Sequence, residues 1–237
     1  MKLRVRYSKL GKVRWVSHRD SARLWERAMR KVALPVAYTR GFTPRPKLSF
    51  GLALPTGAES LAEYIDIDLA DDVEIDPDDP HHASSLSTAL PTGLDVQVVA
   101  ERPDHGGSLQ DAVVATTWVL SGHGITPSTI QEAVERLLAA DEVILERERK
   151  GRRHVDDVRP LIVHLGGDPA GTCLVAELAN EGRALRPAEL ASVAFPGIDA
   201  LGVHVLRTHQ WMDCDGERRE VLSLPVGAPV LDGGRHA

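Results

Sequence analysis

Period-two hydrophobic alternation, broken at intervals by stretches of helical period, is the feature that most narrows what this chain can become. The clearest strand is Ala62–Leu69, AEYIDIDL, which sets Tyr64, Ile65 and Ile67 among Glu63, Asp66 and Asp68. At the N-terminus Leu3, Val5 and Tyr7 alternate with Lys2, Arg4 and Arg6, the pattern of a half-buried strand. Gly11 marks a turn, and Val13–Val16 reads as a short return strand. Ser17 then stands as a helix N-cap, with Asp20 in a capping-box-like position. That helix is expected to run to about Val32 and to stop before Pro35. An extended stretch, Val36–Phe42, is interrupted by Pro44 and Pro46, which cannot donate to a ladder. Leu48–Leu54 resumes as a strand, Ser84–Leu90 reads as a short helix, and Leu94–Ala100 as a last strand.

The order is β-α-β-β-α-β, that of a ferredoxin-like unit. A polar, Gly-containing stretch at 103–112 reads as a linker, and a second pass of similar order follows. It has strands at Thr116–Ser121, Val143–Arg149, Leu161–Leu165, Cys173–Leu178 and Val203–Trp211, and helices at Thr126–Ala140 and Pro187–Val193. The 143–165 stretch has room for an extra strand. The expected fold class is therefore α+β, with two tandem ferredoxin-like (βαββαβ) units built on antiparallel sheets. The first, basic unit covers 1–102, the second 113–212, and 213–237 forms an extended tail.

Charge is distributed as unevenly as hydrophobicity is regular. The first fifty residues carry fourteen Lys or Arg against two acids, Asp20 and Glu26, whereas the whole chain has a net charge of -6. Gly51–Pro80 contains ten acids and no base. A basic, partly aromatic region on an acidic body is the footprint of a polyanion-binding surface. No run approaches the eighteen apolar residues of a membrane span. MKLRVRYSKL lacks the apolar core of a signal peptide. A cytoplasmic protein without membrane contact is expected. Two cysteines, Cys173 and Cys214, make neither a disulfide framework nor the ligand set of an iron–sulfur cluster. No histidine spacing matches a zinc motif, and the acidic run lacks the glycine and terminal Glu of a calcium loop. No metal and no cofactor are expected.

Two groups of residues carry the binding expectation. Arg19, Arg23, Arg27, Arg30 and Lys31 fall on the side of the first helix away from its apolar positions, where they can follow a phosphate backbone. Tyr38, Arg40, Phe42, Arg45 and Lys47 interleave bases and aromatics on a Pro-stiffened segment, as single-strand readers do. The competing explanations are a solvated helix face and an edge protected against aggregation. His18, at the helix start, is the candidate general base if the chain is an enzyme, since imidazole titrates near neutrality.

The blocks VRYSKLGKVRWVSHRD, PVAYTRGFTPRPKLSFGLALPTGAES and EYIDIDL resemble the radical-SAM-linked protein family, whose function is uncharacterised. The match is dense over residues 3 to about 100, with VDDVRPLIVHL the best later piece. The resemblance implies a separate radical S-adenosylmethionine protein as partner and a setting in RNA processing. The three-cysteine radical SAM motif is absent here, so this chain alone is not the radical enzyme. Where the family commonly has His between the two prolines this chain has Arg45, which suits phosphate contact rather than acid–base work. The leading expectation is a non-catalytic module that binds RNA, or another phosphate-rich substrate, and presents it to that partner in RNA modification or processing. The alternatives are a metal-independent ribonuclease using His18 and a protein–protein adaptor.

Overall fold

The computed structural model describes residues 1–71, 73–102, 108–149 and 151–224. It is a mixed α+β structure in which strand pairing is mostly antiparallel, and its described residues divide into two units, 1–113 with 219–224, and 114–218.

The first unit runs β1 (Lys2–Lys9), α1 (His18–Lys31), β2 (Leu48–Phe50), β3 (Glu59–Asp68), α2 (Pro80–Ala89), β4 (Leu94–Glu101) and the single-turn α3 (Leu109–Ala112). β1 lies antiparallel between β3 and β4, and β2 pairs antiparallel with the far side of β3, so the strand order is β4-β1-β3-β2. Val5 sits opposite both Ile65 and Val99. Leu3, Val5, Tyr7, Ile65 and Ile67, all at odd positions, form one core with Trp25, Ala28 and Met29 of α1 and Leu86 of α2. Within it Tyr7 meets Trp25 edge to face, with centroids 4.9 Å apart. α1 begins as its sequence requires: the Ser17 side chain accepts from the Asp20 N–H at 3.2 Å. It ends at Val32, where Ala33 turns to φ 54 ahead of Pro35.

Three local readings need correction. Val13–Val16 is not a return strand. Gly11, at φ 67, opens a 3-10 turn over Gly11–Trp15 that closes with Val16 N–H donating to Val13 O at 2.9 Å. β2 is three residues long because the chain leaves the ladder after Gly51 N–H meets Tyr64 O at 2.9 Å. β1 is buried on both faces, not one, because carboxylates wait for its arginines on the second face. Arg4 clasps Asp66 through two bonds, 2.8 and 3.0 Å, and Arg102 approaches the same carboxylate at 3.5 Å. Arg6, only 2% exposed, pairs with Glu220 at 2.7 Å and donates to Leu222 O at 2.8 Å and to Gln97 Oε1 at 3.0 Å.

The second unit contains β5 (Val113–Gly122), α4 (Pro127–Ala139), β6 (Ile144–Arg149), β7 (Arg152–Asp157), β8 (Ile162–Gly167), β9 (Leu174–Ala179), α5 (Pro187–Ala194) and β10 (Val203–Cys214). The strand order is β10-β5-β9-β8, which repeats the arrangement of the first unit, while β6 and β7 form a separate two-stranded hairpin. The hairpin is the extra element for which 143–165 had room. Arg147 ties it down, reaching Asp156 on β7 at 3.2 Å and Glu189 on α5 at 2.8 Å. α4 opens with a capping box between Thr126 and Thr129. Of the expected tail at 213–237, β10 extends to Cys214 and β11 (Glu217–Glu220) follows, while 225–237 lie outside the described residues. Of the expected linker at 103–112, residues 103–107 lie outside the described residues. Its remainder forms α3, with Leu109 buried and Gln110 Nε2 donating to Phe50 O at 3.3 Å.

Candidate nucleic-acid interface

Residues 37–47 fold back on themselves beside α1. Lys47 N–H donates to Ala37 O at 2.8 Å and Thr39 N–H to Arg45 O at 2.8 Å, so the two prolines sit on the returning arm. Arg45 N–H also meets Thr39 Oγ1 at 3.0 Å. Tyr38 bridges to Pro46, and Gly41 supplies the tip with φ 140, a backbone conformation that side chains rarely adopt. The result is a short, stiff finger whose strand-like character consists of isolated bridges.

Between this finger and α1 runs a groove of about 520 Å³, lined by Arg19, Arg23, Glu26, Arg30, Tyr38 and Arg45 together with Ala22, Thr43, Pro44 and Pro46. Four guanidinium groups and one phenol therefore converge on one concave surface. Within α1 these positions follow at spacings of four, three and four, one stripe of the helix. Arg23 is shared with Asp20 at 3.1 Å, an exposed pair of small energetic weight.

The expected residues separate by position. Arg19, Arg23, Arg30, Tyr38 and Arg45 line the groove. Arg27 is exposed and folds back along the helix, its Nε donating to Arg23 O at 3.3 Å. Lys31 lies at the helix end, in a separate cavity with Val32 and residues of α2. Arg40 and Phe42 occupy the finger tip, where Phe42 is fully exposed. Lys47 is exposed at the base of the finger.

His18 lies on the other flank of the first helical turn. Its ring meets Phe50 edge to face at 5.0 Å, and with Phe50 it lines a second, much smaller cavity. Tyr7, Lys9, Ser21, Glu63 and Tyr64 also line that cavity. Lys9, Ser21 and Glu63 are 5%, 5% and 7% exposed. Lys9 Nζ donates to Val16 O at 2.7 Å. On the opposite face of β3, beside Arg6, burial pushes the Tyr64 phenol well above its ordinary range. Reading the sequence for its basic surface passes over this cluster, although a signal exists. Lys9 continues the odd-numbered, core-facing series Leu3, Val5, Tyr7, and Glu63 precedes Ile65 and Ile67 on the facing strand. Charges in an apolar register are the clue.

Among the described residues no His, Cys, Asp or Glu cluster has a metal-holding arrangement, and no helix is long and apolar enough to cross a membrane. No curated protein matches the chain. Over residues 2–187 it matches a family model, and it belongs to that family, described as uncharacterized proteins conserved in bacteria (DUF2344).

Proposed function

We propose that the first unit is an RNA-binding module whose site is the groove between α1 and the 37–47 finger. The chain would act as a non-catalytic accessory that holds RNA, or a similar phosphate-rich substrate, for a separate enzyme in the cytoplasm. The observation that carries this reading is the convergence of Arg19, Arg23, Arg30 and Arg45 with Tyr38 on one groove. Guanidinium groups neutralise phosphates and a neighbouring ring stacks a base, the combination used for single strands. The resemblance to radical-SAM-linked proteins supplies the chemistry of the partner: a radical S-adenosylmethionine enzyme that modifies or processes the bound RNA. We read both units as ferredoxin-like, a reading supported by the orders β4-β1-β3-β2 and β10-β5-β9-β8, with β6–β7 as an insertion in the second.

The test is binding of RNA at several salt concentrations, wild type beside Arg19/Arg23/Arg30→Glu. Tight binding with a steep salt slope, lost in the variant, is the expected result. No binding at low salt sinks the proposal and leaves the protein–protein adaptor. The ribonuclease alternative is favoured by one observation, the company of Lys9 and Glu63 in the cavity that His18 lines. Incubation with RNA in EDTA decides it: cleavage that disappears in His18→Ala identifies an enzyme, and intact RNA rejects one.

A further inference from the structure

We infer that Glu26, a carboxylate inside the arginine groove, reads guanine, so that the groove selects strands carrying that base; the inference rests on the groove being the RNA site. Glu26 is out of keeping with its surroundings. Arg19, Arg23, Arg30 and Arg45 line the same groove, and Glu26 is the one acid among the described residues that do so. A negative charge there repels phosphate and weakens a site for a polyanion. Nor does Glu26 serve as a counterion. Arg23 stands three residues before it and Arg30 four after, spacings that suit ion pairs on a helix. Yet Arg23 turns to Asp20 at 3.1 Å, and among the described residues Glu26 has neither an ion pair nor a side-chain hydrogen bond.

Position and chemistry say what this carboxylate waits for. Arg19, Arg23 and Arg30 are exposed, whereas Ala22 and Glu26 are half-buried. At about 100° per residue, Ala22 and Glu26 fall between the apolar face of α1 and its arginine stripe. The arginines therefore form the rim of the groove, and Ala22 with Glu26 its helical floor. Phosphates held at the rim leave the bases free to turn inward, where Tyr38 offers a ring for stacking. The volume of about 520 Å³ falls in the range of roughly 300–1,000 Å³ that houses small ligands, so a base has room. A carboxylate only accepts, and it accepts through two oxygens side by side. Unpaired bases present their Watson–Crick edges to such groups. Guanine has two adjacent donors there, N1–H and the N2 amine. Adenine and cytosine set their amine beside a ring-nitrogen acceptor, and uracil holds one N–H between two carbonyls. On those three bases the second carboxylate oxygen meets another acceptor. A ribose hydroxyl supplies a single donor and is common to every nucleotide, so it gives no choice between bases.

The experiment measures binding of the full chain to an oligouridine of about 12 nucleotides and to the same strand with one central guanosine, inosine or adenosine. Inosine is guanosine without the N2 amine, and adenosine controls for purine stacking. Wild type should prefer the guanosine strand on the order of 10-fold over the other three. Glu26→Gln, a change that helices accept, should bring that ratio towards one. It should also strengthen binding of the all-uridine strand, because a charge that repels phosphate is gone. Arg23→Ala should weaken all four strands and leave the ratio in place. Equal affinity of wild type for the guanosine and inosine strands overturns this inference while the groove stands. So does a preference that survives Glu26→Gln, or an equal loss on every strand in that variant, which would make Glu26 a support of the groove's shape. Failure of all four strands to bind at low salt overturns the groove and the inference together.

Discussion

Arg4 and Arg6 on β1 and Arg19, Arg23 and Arg30 on α1 belong to the same basic stretch, but the first pair is buried and held by Asp66 and Glu220, and the second set faces an open groove. The difference follows from geometry. A strand in the middle of a sheet sends alternate side chains to opposite faces, and when both faces are covered even its arginines must find partners inside. A helix on the outside of the same sheet needs only one apolar stripe. Ser21, Trp25, Ala28 and Met29 supply it, and the rest of its circumference stays uncommitted. Net charge along a chain is thus a poor measure of available charge. What matters is whether each cation has been claimed by the fold.

The strongest way to break this contrast is to remove one of the claimed pairs. Asp66→Ala or Glu220→Ala leaves a buried arginine without its counterion. It should lower stability by about 3–5 kcal/mol, read as a large fall in Tm or in the denaturant midpoint. A loss below 1 kcal/mol would mean that β1 carries its arginines as loosely as α1 does. Next comes Arg19/Arg23/Arg30→Glu. Melting should barely change, while the slope of log affinity for RNA against log salt becomes shallower by about 2, given roughly 0.7 per phosphate on a single strand. Tyr38→Ala should weaken single-stranded RNA binding by about 1–3 kcal/mol without altering that slope, since stacking carries no charge. Arg27→Ala, outside the groove, should do less than any groove arginine. An equal effect at Arg27 would show that the whole basic face is used.

The smallest effect extends the contrast to the second unit. Asp168 accepts from Thr172 N–H and Cys173 N–H, both at 2.6 Å, and from Ala170 N–H at 3.2 Å, fixing the turn between β8 and β9. Burial opposes its ionised form, but these backbone donors outweigh it and hold its pKa below the ordinary carboxylate value. A lowered folded-state pKa contributes stability above about pH 4 that is lost as pH falls through the folded value. Asp168→Ala should therefore lower Tm by a few degrees at neutral pH, and the gap from wild type should close in acid. A gap independent of pH would place the effect in packing rather than charge.

Several of these features were legible in advance. The alternation of strand and helix periods is a local property, and it located β3, β4, α1 and α4 within a few residues, as did the Ser17 cap. The break at 43–47 was also legible, because Pro44 and Pro46 act on their own neighbourhood, but the fold-back of 37–47 about Gly41 was not. The claimed arginines were not. Arg4 and Asp66 lie 62 residues apart, and Arg6 bonds to Leu222 across 216, so no window along the chain contains both members. The polar cavity was hidden for a related reason. Lys9 and Glu63 share a face only once β1 and β3 are set in register, and the register of a strand pair is a tertiary fact. The hairpin β6–β7 lay between these cases, with room for an extra strand at 143–165 in view but its place outside the main sheet order decided by packing.

The distant partner of Arg6 also imposes an order on biogenesis. At roughly 5–20 residues per second, Glu220 is synthesised about 10–40 s after Arg6. For that interval β1, α1 and β3 can form, but the arginine that will sit at the centre of their sheet has no counterion. The nascent first unit must either leave β1 partly open to water or wait. The Arg6–Glu220 pair forms only once residue 220 has been made, so the first unit is completed after residues 114–218 of the second have been translated.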